Sequence, residues 1–238
     1  MLMAAACTRP QYGLEKAAKE KFASLPWLIE LEFVVDANYK HDQKLITYVI
    51  ENGQLVLKST RTCVRPDTSP CYFDYPRQYI HFPENALYKK TQVTVPEGLP
   101  EVKGYQYIGP FSMSPDNSLA LLSITPESYK WPLEAPLDIV LIEMRTRKIV
   151  YQTNRDGVHY RIKDVAWSVD SHLFAVLYEY YENYYGSSGL IGSMLGHPVS
   201  KYAYHLAVYD REGNLVVRSR VAYGMLTGWG NVRFSFQP

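Results

Sequence analysis

No stretch of the chain approaches the roughly 18 to 20 apolar residues that a membrane-spanning helix requires. No nucleophile elbow, H-E-x-x-H signature, C-x-x-C pair or phosphate-cradling glycine loop occurs anywhere in the 238 residues. Gly186-Ser187-Ser188-Gly189 lacks the elbow spacing. The histidines at 41, 81, 159, 172, 197 and 205 form no close pair at metal-ligand spacing. His172 and His205 fall on expected strands where they could face each other; a metal site there is one reading, and a pair of satisfied surface or core histidines is the simpler one. An excess of one charge is also missing: 25 Lys and Arg stand against 24 Asp and Glu, a net charge of +1. Binding to nucleic acid leaves a basic stripe or patch, and this balance gives it no support. No cofactor is implied, and the chemistry leans away from catalysis.

What the chain does have is apolar and aromatic bulk. Hydrophobic residues make up 47% of it, and 21 tyrosines dominate an aromatic content of 14%. That is enough for a substantial core and suits strands. The length fits one large β domain or two small ones.

The most legible stretch is Lys163 to Arg220. Asp164 to Ser168 reads as a strand, Val169-Asp170-Ser171 as a turn, and Leu173 to Tyr178 as a buried strand. Leu206 to Tyr209 is a third strand, Glu212-Gly213-Asn214 a hairpin turn, and Leu215 to Val217 a fourth. Other segments echo this unit. Met113-Ser114-Pro115-Asp116 lines up with Trp167-Ser168-Val169-Asp170. Ile149-Val150-Tyr151 lines up with Leu215-Val216-Val217, and Asn52 to Ser59 with Glu212 to Ser219. Phe234-Ser235-Phe236 lines up with Phe111-Ser112-Met113. Repetition of a four-stranded unit implies a repeat architecture.

The Ser114-Pro115-Asp116-Asn117 turn before an apolar strand, with its degenerate copy at Trp167 to Ser171, resembles the TolB-type, WD-like β-propeller repeat. The resemblance covers Tyr105 to the C-terminus, with a half-repeat near Leu45 to Ser59. It implies an all-β, small or irregular propeller-like domain of four-stranded antiparallel units. The spacing departs from regularity, and a β-sandwich sharing turn chemistry is the competing fold. Residues 30–35, 44–50 and 55–59 supply the second to fourth strands of a unit that lacks its first. Residues 231–236 copy that missing strand, so the two ends are expected to pair and remove an open edge.

Residues 1–26 read as a tether and a short N-terminal helix, and 27–238 as a single β domain. Met1 to Cys7, with Ala5 and Ala6 before the cysteine, resembles the tail of a bacterial lipoprotein signal, although a basic segment and a full apolar run are missing. The resemblance implies lipidation at Cys7, a cell-envelope location and contact with a membrane only through that anchor. A cytoplasmic location is the alternative. Leu14, Ala17, Ala18, Phe22 and Leu25 have helical spacing, and Pro26 ends the pattern. Cys63 and Cys71 bracket a turn-rich loop. They form a disulfide in an oxidising compartment, or two thiols in a reducing one. Residues 63–100 are irregular and broken by prolines.

The segment 180–198 reads as a long aromatic and glycine-rich insertion. Tyr180, Tyr181, Tyr184 and Tyr185, with Trp131 in the loop of the preceding repeat, are the candidate partner-binding residues, because tyrosine gives wide contact at low entropy cost. Glu179 and Glu182 read as solubilising charge. The expected function is a non-catalytic binding or scaffold protein that recognises a protein or a glycan. The alternatives are a hydrolase acting on a glycan or peptide under the 180–198 loop, or a degraded fragment of a larger propeller protein.

Overall fold

The computed structural model describes residues 11–36, 42–64, 98–127, 138–153, 160–183, 200–224 and 232–237. The chain order is β1 (Gln11–Tyr12), α1 (Lys16–Ala23), β2 (Leu28–Asp36), β3 (Asp42–Glu51), β4 (Gln54–Val64), β5 (Tyr105–Met113) and β6 (Leu119–Pro126). It continues with β7 (Asp138–Glu143), β8 (Lys148–Gln152), β9 (Tyr160–Trp167), β10 (Leu173–Asn183), β11 (Ser200–Asp210), β12 (Leu215–Gly224) and β13 (Val232–Gln237). The fold is all-β, with one helix among the described residues.

The strands form three antiparallel sheets, none closed on itself. Their orders are β13-β2-β3-β4, β5-β6-β7-β8 and β1-β12-β11-β10-β9. Apart from the added β1, each is a four-stranded meander. The ends of the chain do pair: β13 runs antiparallel to β2, from Val232 opposite Phe33 to Gln237 opposite Leu28. Phe236 is buried in the core there; the side chain of Phe234 lies outside the described residues.

Strand alternation sorts the core. In the β9–β12 sheet, Ala175, Leu177 and Leu206 face the β13–β4 sheet. Their neighbours Phe174, Val176 and Ala207 face the β5–β8 sheet instead. A sheet covered on both sides needs apolar residues at every position rather than at alternate ones. β6 and β10 accordingly read as near-continuous apolar runs. β9 packs against both β5 and β13, so the first strands of the three meanders are neighbours.

The two related turns have the same hydrogen bonds. Leu119 N–H donates to Ser114 Oγ (2.9 Å), which donates to Asp116 Oδ1 (2.6 Å). Leu173 N–H donates to Ser168 Oγ (2.9 Å), which donates to Asp170 Oδ1 (2.6 Å). Both serines are buried. Asn117 and Ser171 take the left-handed conformation at φ +58° and +63°, which short polar side chains tolerate. The repeat in sequence is therefore a repeat of turn chemistry.

Each turn is touched by the next sheet around. Ser171 Oγ accepts from Asp116 N–H (3.1 Å), and the Arg211 guanidinium lies 3.7 Å from the Asp116 carboxylate. The Trp27 indole, just before β2, helps to hold the Asp170 carboxyl down without reaching hydrogen-bond geometry. The β5–β6, β9–β10 and β11–β12 turns thus lie together at one end.

These carboxylates set an acid limit. Hydrogen bonds from Ser114 first, then Ser118, hold Asp116 down to about 2. Burial pushes Asp170 up, but the Ser168 hydroxyl and the His172 N–H outweigh it, and the net shift is downward. A depressed carboxyl stabilises the fold fully above its unfolded pKa of about 4, and that contribution disappears as pH falls through the folded value. Asp116→Asn is expected to have a lower urea midpoint than the parent at pH 7 and to converge with it as the pH approaches about 2. An unchanged gap at both pH values would show that the carboxylate charge contributes nothing.

Four sequence expectations need correction. The helix is confined to Lys16–Ala23, because Ser24 closes it by donating its N–H to Glu20 O and its hydroxyl to Lys21 O. β4 continues past Ser59 to Val64, since β3 pairs with it along its whole length. β10 does not end at Tyr178. It runs to Asn183, so Tyr180 and Tyr181 are strand residues. His172 and His205 do not face each other: His172 precedes Leu173, opposite Asp210, whereas His205 lies opposite Tyr178.

Candidate functional site

In a four-stranded meander, the connection between strands two and three and the link to the next meander leave from the same end. Here that end is opposite the tight turns. Among the described residues, the β10–β11 ladder is the longest that reaches that end. β10 and β11 pair without a break from Leu173 opposite Asp210 to Asn183 opposite Ser200. Among the described residues, β9 pairs with β10 as far as Tyr160 opposite Tyr180, and β12 pairs with β11 as far as Gly224 opposite Tyr202. The outer part of this hairpin, from Tyr180 opposite Ala203 to Asn183 opposite Ser200, forms an arm.

At the base of this arm lies a buried polar group. Lys163 sits where β9 shifts register against β10: Asp164 opposes Leu177 and Ile162 opposes Tyr178, which leaves Lys163 as the extra residue. A bulge of this kind re-aims a side chain. Lys163 Nζ lies 3.3 Å from Glu179 Oε2, and the Tyr204 hydroxyl donates to Glu179 Oε1 (2.9 Å). Glu179 is only 5% exposed, so it is not the solubilising charge its sequence context suggests. A buried carboxylate needs an ion pair and hydrogen-bond donors to stay there. Asp164, also buried, accepts its neighbour's N–H at Val165 (2.9 Å). On the other face, the Tyr178 and Tyr209 hydroxyls lie 3.2 Å apart, with Arg218 over the Tyr178 ring.

Of the binding residues proposed from sequence, Tyr180 is half-buried on the arm and opposes Ala203. Tyr181 opposes Tyr202 one step further out; its side chain lies outside the described residues. Tyr184, Tyr185, Trp131, Cys7 and Cys71 lie outside the described residues altogether. In the chain, Trp131 follows β6 and Tyr184 and Tyr185 follow β10, each the second strand of its meander. Cys63 stands opposite Gln43 near the end of β4, and its side chain is likewise outside them. No group of three or more potential metal ligands occurs among the described residues. Lys163, Asp164 and Tyr204 were not singled out by sequence. Tyr204 opposes Glu179 directly, the register shift in β9 brings Lys163 to it, and no local pattern announces that shift.

Comparison of the chain with protein-family models, with curated proteins and with solved structures finds no match.

Proposed function

We propose that the protein is a non-catalytic binding or scaffold module in which each four-stranded meander acts as a propeller-like blade, and that the β10–β11 arm recognises a protein or glycan partner. The adjacency of β5, β9 and β13 and the pairing of the chain ends support the propeller-like reading. The observation that carries the binding reading is the β10–β11 arm, which pairs without a break out to Asn183 and bears Tyr180 and Tyr181. Buried charge nearby favours binding over hydrolysis. Glu179 is committed to Lys163 and Tyr204, and Asp138 accepts from the Thr153 hydroxyl (2.9 Å).

The same end fits an anchor. Gln11 enters β1 opposite Tyr223, where β12 approaches its end on the arm side. Only Thr8, Arg9 and Pro10 separate Cys7 from Gln11. At about 3.5 Å per residue, a lipid on Cys7 holds that end within roughly 15 Å of a membrane. This reading includes an envelope location and a Cys63–Cys71 disulfide.

Replacing Tyr181, Tyr184 and Tyr185 together by Ser is expected to abolish partner capture and to shift Tm by only a few degrees. Retained capture removes the recognition role, and a large drop in Tm assigns these tyrosines to the core. Palmitate labelling that fails to mark Cys7 removes the anchor but leaves the arm.

A further inference from the structure

The meanders β5–β8 and β9–β12 each join their first two strands by a covalent turn braced by a buried serine. The β13–β4 sheet has no such turn, because its first strand comes from the other end of the chain. Bringing distant segments together costs chain entropy that a tight turn avoids. Some other feature must secure that seam.

Residues 11–25 run directly back from β2 onto the neighbouring sheet. Their backbone belongs to the β9–β12 sheet: Tyr12 pairs with Ala222, Gly13 N–H donates to Val221 O (3.1 Å), and Glu15 N–H donates to the buried Ser219 Oγ (2.8 Å). Their side chains belong to the β13–β4 sheet. The Tyr12 ring stacks on Tyr48 at 4.7 Å and meets Phe33 edge-on at 5.2 Å. Phe22 and Ala18 of α1 are buried in the core that the two sheets share. Gly53, in the β3–β4 turn, lies so close to α1 that a Cβ would sit 2.9 Å from the Lys19 carbonyl carbon.

We propose that residues 11–25 are a clasp that locks the β2–β13 seam by tying β2 and β3 to β12. When it opens, the β12 edge loses its partner and the Phe33–Tyr48 surface is uncovered, while the covalently turned β5–β8 meander is left intact. The clasp carries a built-in weakness: the Tyr12 hydroxyl is buried and has no hydrogen-bond partner. An unmade buried hydrogen bond is a penalty borne by the closed state.

Hydrogen exchange on the full chain tests this. In Tyr12→Ala, amides of β2 and β13 are expected to exchange at least about tenfold faster, with β6 and β7 unchanged. In Tyr12→Phe, which removes only the orphan hydroxyl, they are expected to slow by about fivefold. Faster exchange confined to residues 11–25 overturns the proposal, because the strap then opens without affecting the seam. Equal acceleration in all three sheets also overturns it. If Tyr12→Ala fails to fold, Tyr12→Phe decides: β13 exchange that is unchanged or faster refutes the clasp.

Discussion

A chain ending at Trp229 is expected to lose cooperative folding and to associate in solution. It lacks β13, so β2 becomes an edge strand, and those of its N–H and C=O groups between Leu28 and Phe33 that faced β13 are left unpaired. An open edge beside apolar residues is a template for pairing with another chain. Ile29, Leu31 and Phe33 are fully buried in the intact fold and lie along that strand. The single change Phe236→Ala isolates the packing part. Phe236 is 7% exposed within the core shared by two sheets, and emptying such a site costs about 3–5 kcal/mol. A domain of this kind has only about 5–15 kcal/mol in total, so urea denaturation should show a clear fall in midpoint. If the chain ending at Trp229 is monomeric and unfolds at the parent midpoint, β13 contributes nothing to closure.

That closure was legible in the sequence because the missing first strand and its displaced copy share a pattern that needs no three-dimensional information. The turns were legible for a related reason. Ser114, Asp116 and Leu119 satisfy one another within five residues, so their chemistry is written locally. Glu179 was not legible. Its partners Lys163 and Tyr204 come from two other strands, and a register shift in β9 decides whether Lys163 reaches it. The arm was missed for a different reason. Tyr180 to Asn183 has no alternation of apolar and polar residues, so nothing local distinguishes a strand from an aromatic insertion. It becomes a strand because Ser200 to Ala203 pairs with it. Strand preference depends on the neighbour, and the neighbour lies beyond a long connection.

The tightest approach between sheets gives the remaining large effect. Gly213 sits in the β11–β12 turn at φ +87°, where Asp210 Oδ1 accepts from the N–H groups of Glu212 (3.0 Å) and Asn214 (2.8 Å). A Cβ there would lie 2.7 Å from Cδ2 and 2.8 Å from Cβ of Tyr151 in the neighbouring sheet. Gly213→Ala therefore combines two penalties. The left-handed backbone costs an alanine about 1–2 kcal/mol, and forcing atoms into a filled contact costs a further 1–3 kcal/mol or so. Gly104 separates them, because its φ is +79° and nothing lies within 4 Å of its added Cβ. Gly104→Ala is expected to show the backbone penalty alone. Gly213→Ala should exceed it by the cost of displacing Tyr151, and that excess should shrink when Tyr151→Ala is added in a double-mutant cycle. Equal losses at the two glycines would mean that Tyr151 moves aside freely and that this contact does not fix one sheet against the other.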